Sequence, residues 1–106
     1  MSTSIPLATA QQWAENWRNN AKDWIENHDL YAFKVKEESL TEPLAIPNAV
    51  GVRTYMGLDN EDNAHLLIVA VDADGKDLIN EAEGWLVYDH CDVCPPNCDM
   101  NSPLMQ

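Results

Sequence analysis

Positive charge is what this chain most lacks: six Lys and Arg stand against eighteen Asp and Glu in 106 residues, a net charge of −12. That balance excludes direct binding to a nucleic acid backbone or an anionic membrane, because like charges repel within a Debye length. A basic protein partner or a cation is favoured instead. The deficit is uneven, since residues 51–106 hold eleven acids and two bases whereas residues 1–50 hold seven acids and four bases. Long apolar runs are missing too. No stretch reaches the eighteen residues that a membrane-spanning helix needs, and the first ten residues have neither a basic segment nor the apolar run of a signal peptide, so the expected setting is the cytoplasm. The chain has room for one domain and not two. Glycine and phenylalanine are scarce, at four and one, and cysteine is confined to three positions near the end.

What is present begins with a helical period. From Thr9 to about His28, stepping 100° per residue gathers Ala10, Trp13, Ala14, Trp17, Ala21, Trp24 and Ile25 in an arc about 120° wide, with Glu15, Lys22, Asp23 and Glu26 opposite. Thr9 and Gln12 have the spacing of a capping box. The three tryptophans read as core, since large aromatics at helical spacing are usually buried. On that reading Trp17→Ala costs about 3–5 kcal/mol. His28 falls at the helix end, where it reads as a cap or a core-edge residue.

Tyr31–Val35 alternates as a short strand does, and Ser39 to Glu42 offers a second capping box before a brief helical turn near residues 37–45 that Pro43 and Pro47 limit. Residues 49–58 then alternate clearly, with Val50, Val52, Thr54 and Met56 on one face and Arg53 and Tyr55 on the other. Residues 59–63 form an acidic turn, and His65–Val71 is a continuous apolar run of the kind a doubly covered central strand has. Asp72 to Gly75 turns the chain into strands at Lys76–Ile79 and Trp85–Asp89. The expected fold class is α+β: a long N-terminal amphipathic helix packed on a three- to four-stranded antiparallel meander, in a single domain over residues 1–89 with a Cys/Pro-rich acidic tail at 90–106. One helix covers one sheet face, so the second face must be closed by short elements, the tail or a second copy in a homodimer.

The tail is the densest chemistry. Cys91 and Cys94 stand as Cys-x2-Cys, the spacing that lets two thiolates meet one tetrahedral zinc, with Cys98 a third ligand and His90 a poorly placed fourth, so that a full site would recruit His65, His28, a carboxylate or another subunit. A reactive thiolate is less favoured, because Asp89, Asp92 and Asp99 would raise a thiol pKa. The segment from Cys94 to Cys98 can instead close as a disulfide across its Pro-Asn turn if the chain meets an oxidant. Asp72, Asp74 and Asp77 invite calcium, but Gly75 stands fourth where a calcium-binding EF-hand loop has glycine sixth, and a hairpin turn explains them with less. Arg53 beside Tyr55 is the best candidate for gripping an anion, the plainer alternative being a salt bridge to a nearby acid. No nucleophile triad, phosphate loop or carboxylate pair stands out, so an enzyme is not expected.

Gly51 to Asp59, Val71 to Asp77, Tyr88-Asp89 and Cys94-Pro95-Pro96-Asn97-Cys98 together resemble a group of short, uncharacterised bacterial proteins that join an Arg-x-Tyr-x-Gly strand to a Cys-Pro-Pro-x-Cys tail. The likeness covers the second half of the chain and implies no activity. It does imply that Arg53, Tyr55, Cys94 and Cys98 are the positions to test first. The leading expectation is a small non-catalytic interaction or regulatory protein, of the kind that neutralises a basic effector, with a zinc or thiol-redox protein as the alternative and a DNA mimic third.

Overall fold

The computed structural model describes residues 3–89 and 91–105, with Cys91 described by its backbone alone. In chain order the elements are β1 (Ser4–Ile5), α1 (Leu7–Asn27), β2 (Ala32–Val35), α2 (Glu38–Leu44), β3 (Gly51–Leu58), β4 (Ala64–Val71), β5 (Asp77–Leu78), β6 (Val87–Tyr88) and β7 (Cys91–Cys94). Short 3-10 turns lie at Glu81–Glu83 and Pro103–Met105. The α+β arrangement is the expected one. Its sheet has a fifth strand, β1, and departs from a plain meander, because β5 and β6 follow one another along the same edge of β4 while β3 takes the other edge.

The long helix begins two residues before its expected cap. Pro6 occupies the N-cap position and no side chain caps locally. The first free amide, Leu7 N–H, is instead taken by the Glu81 carboxylate at 3.2 Å, seventy-four positions along the chain. An acid at a helix start both accepts an orphan donor and opposes the positive end of the dipole. At the other end His28 is the cap that the sequence suggests: its Nδ1 lies 2.9 Å from the Trp24 carbonyl, so Nδ1 carries the proton there.

Apolar alternation on β3 and β4 gives the sheet two greasy faces. Leu67, Val69 and Val87 turn toward α1 and pack on Ala10, with Trp13 alongside. Gly57 lies on this face, and a Cβ there would sit 3.1 Å from the Trp13 Cβ, so the helix approaches the strand closely at a position without a side chain. The opposite face, which carries Ala70 and Leu78, packs on Ile46 just past α2. Ser39, expected as a cap of α2, is fully buried, donating to the Asp89 carbonyl at 2.7 Å with the Thr3 hydroxyl 2.9 Å away. The second face is thus closed by short elements. No bare sheet face is left there to call for a second copy.

The segment set apart as a tail is woven into the fold. β7 pairs antiparallel with β2 as a separate two-stranded sheet, with Ala32 opposite Cys94 and Val35 opposite Cys91. Among the described residues no helix is long and apolar enough to cross a membrane.

Candidate functional site

Arg53 and Tyr55 are brought together as expected, but onto a carboxylate of the chain itself. Both point from β3 across β4 to Asp77 on β5: the guanidinium pairs with Asp77 Oδ1 and the phenol donates to Asp77 Oδ2. The bond to Asp77 is the main reason that both the Arg53 and the Tyr55 pKa are raised. This is the salt-bridge alternative, and it leaves the pair occupied.

The tail cysteines depart from the zinc arrangement. Cys94 and Cys98 are joined in a disulfide with their Cα atoms 4.8 Å apart, within the usual range for such a bond. In this oxidised form neither sulfur has a thiolate to give a metal, so two of the three expected sulfur ligands are spent. Of the other two nominated ligands, Cys91 contributes its backbone pairing with Val35, and His90 lies outside the described residues. Among the described residues no three His, Cys, Asp or Glu side chains are placed to hold a metal ion. The peptide bonds Cys94–Pro95 and Pro95–Pro96 are both cis, and Asn97 N–H returns to the Val93 carbonyl at 2.9 Å. Closing so short a ring contributes about 2 kcal/mol in the chain-entropy description. Denatured without reductant, the protein should show one titratable thiol of its three, and all three after reduction. Three free thiols at the outset would rule the bond out.

His65, which the sequence offers only as a ligand a zinc site could recruit, centres a cluster on the α1 face of the sheet. His65 lies between two carboxylates, with Nδ1 2.9 Å from Asp89 Oδ2 and Nε2 2.9 Å from Asp59 Oδ2. Its ring stacks on Trp13 at a centroid distance of 4.1 Å. Asp89 is buried, and its Oδ1 has no hydrogen-bond partner among the described residues. Burial disfavours the imidazolium, but the bonds to Asp89 and Asp59 outweigh it and raise the His65 pKa above 6.5. For Asp59 burial acts upward and is overcome by His65 and by the amides of Asn63 and Glu61, which hold it down to about 2. Both ring nitrogens and the accepting oxygens are engaged within the cluster. It ties the β3–β4 turn to the end of β6.

The open surface lies at the C-terminal end of α1. Trp24 is buried there, its Nε1 donating to the Asp62 carbonyl at 2.8 Å, with the His28 ring stacked on it at 4.5 Å and Trp17 meeting it edge-on. Three depressions share Trp24 and His28. One, of about 330 Å³, runs over Asp29, Glu61 and Asp62 to Pro95 and Pro96; a second, of about 390 Å³, runs over Trp17, Ile25, Tyr31 and Met56; the third, of about 190 Å³, adds Asp23 and Asn27. Tyr31 continues the second into a fourth of about 400 Å³ against Met100, Leu104 and Met105. Ile25, Tyr31, Met100 and Leu104 are exposed by 58%, 63%, 66% and 95%, which leaves a long apolar strip in water beside four carboxylates. The tryptophan stripe hinted at part of it. What it could not show is that the tail folds back to extend it.

No family model, curated protein or solved structure matches the chain.

Proposed function

We propose that this is a non-catalytic docking protein whose surface around Trp24, His28 and Tyr31 receives a basic, amphipathic segment of a protein partner. The observation that carries the reading is the continuity of the apolar strip Ile25, Tyr31, Met100 and Leu104 with depressions edged by Asp23, Asp29, Glu61 and Asp62. Contiguous exposed apolar area marks an interaction surface, and aromatics set among charges supply both the anchor and the steering. A second copy of the chain is a poor occupant, because it would bring −12 against −12. A cationic partner meets attraction over the whole approach. Inhibition of a basic effector is one biological form this takes. Cytosolic thiols are kept reduced, so the Cys94–Cys98 bond weighs for an oxidising compartment and against the cytoplasmic setting expected above.

A designed helix of Leu and Lys residues is a suitable probe. It should bind at low ionic strength, weaken as salt rises, and shift the amide resonances of Trp24, His28 and Tyr31. Tyr31→Asp should weaken binding about 30-fold, the size of one interface hot spot. Binding that Tyr31→Asp leaves unchanged, or shifts confined to another face, would refute the reading.

A further inference from the structure

We propose a second site: the groove between α1 and the sheet binds a small monocarboxylic acid, its apolar tail lying in the groove and its carboxylate meeting Arg18. This site is separate from the docking surface and does not rest on it. The groove holds about 200 Å³ and is walled by Ala10 and Ala14 of α1 and by Leu67, Val69 and Val87 of the sheet. It opens beside the contact of Ala10 with Leu67, Val69 and Val87, where the small side chains of Ala10 and Ala14, one turn apart on α1, leave room. The groove is open to solvent along its rim, and its apolar walls offer water few hydrogen-bond partners.

The polar groups at the rim select the ligand. Tyr55 and Asp77 border the groove, but Asp77 is paired with Arg53 and accepts a hydrogen bond from the Tyr55 hydroxyl, so neither offers a free charge. Arg18 is the remaining charged group, an exposed guanidinium that forms no ion pair among the described residues although the chain has eighteen acids. A guanidinium beside apolar walls suits a carboxylate, which it can grip through two parallel hydrogen bonds. Size limits the tail. An apolar cavity of about 150 Å³ accommodates benzene, so this groove takes about six carbons or a phenyl ring with a short side chain. The net charge of the chain opposes an approaching anion, but salt screens that field beyond about 10 Å and leaves Arg18 as the charge met at contact.

Hexanoate and hexan-1-ol, titrated into the full chain and followed through amide resonances, test the proposal. Hexanoate should bind saturably at one site and shift Ala10, Ala14 and Val69. Arg18→Gln, an exposed change that leaves the core untouched, should weaken hexanoate about tenfold and leave hexan-1-ol unaffected. Ala14→Leu, which fills the groove, should abolish both. The proposal is overturned if hexanoate gives no saturable shift, if the shifts gather at Trp24 and Tyr31, or if Arg18→Gln leaves hexanoate binding intact.

Discussion

Replacing His65 with alanine should cost about 2–3 kcal/mol, below the range for a fully buried ion pair because the imidazole side chain is 22% exposed. The loss falls mainly on Asp89, whose side chain is 7% exposed and whose second oxygen has no partner among the described residues. Without the imidazole, that buried side chain loses the one hydrogen-bond partner of its Oδ2 that the described residues supply. The pH dependence carries a definite sign. His65 has its pKa raised on folding, so its contribution is complete below about 6.5 and is lost as pH rises through the higher folded value. Asp59 is held down to about 2 from 3.8, so its contribution is complete above 3.8 and is lost as pH falls toward 2. Stability should therefore peak between about pH 4 and 6.5 and decline on the alkaline side. Urea midpoints measured across this range should show the alkaline decline in the natural chain and not in His65→Ala. Stability that rises from pH 6 to 8, or an alanine variant as stable as the natural chain, would contradict the pairing.

The second large effect belongs to Trp24. Its side chain is 8% exposed, packs edge-on with Trp17 and stacks with His28, and its Nε1 fastens α1 to the β3–β4 loop through the Asp62 carbonyl. Trp24→Ala should cost about 3–5 kcal/mol, the range for truncating a buried aromatic. Trp24→Phe keeps a ring but loses the bond to Asp62, and should cost nearer 1 kcal/mol plus the smaller packing loss. Both variants are checked by urea unfolding. The stripe alone gives Trp17 the same range, but Trp17 is half-buried at the edge of a depression, so its truncation should cost clearly less than that of Trp24. Equal costs at the two positions would return Trp17 to the core and weaken the case for a docking surface.

The elements legible beforehand are those whose signal is local. The 3.6-residue period that placed α1, the alternation that put Arg53 and Tyr55 on one face of β3, and the Asp-rich turns at residues 59–63 and 72–75 arise from chain geometry over a few neighbours. Gly75 takes the positive φ of 79° that its turn suggests. Caps were less legible. The box at Thr9 has suitable residues, yet Pro6 already starts the helix and Glu81 supplies the acceptor. A capping motif states what a side chain is able to do, and a distant carboxylate held in place by the fold competes for the same amide.

Local spacing placed the long helix and the main strands of an α+β fold, and simple addition of charges gave the net acidity. Tertiary structure alone decided that Asp77 occupies Arg53 and Tyr55, that His65 bridges Asp59 and Asp89, and that Cys94 meets Cys98. It also decided that the last residues pair through β7 with β2 and extend the apolar strip from Tyr31 to Leu104. These meetings depend on which strand edges adjoin. Strand order is settled by the balance of burial on two sheet faces at once, and no window of neighbouring residues contains that balance.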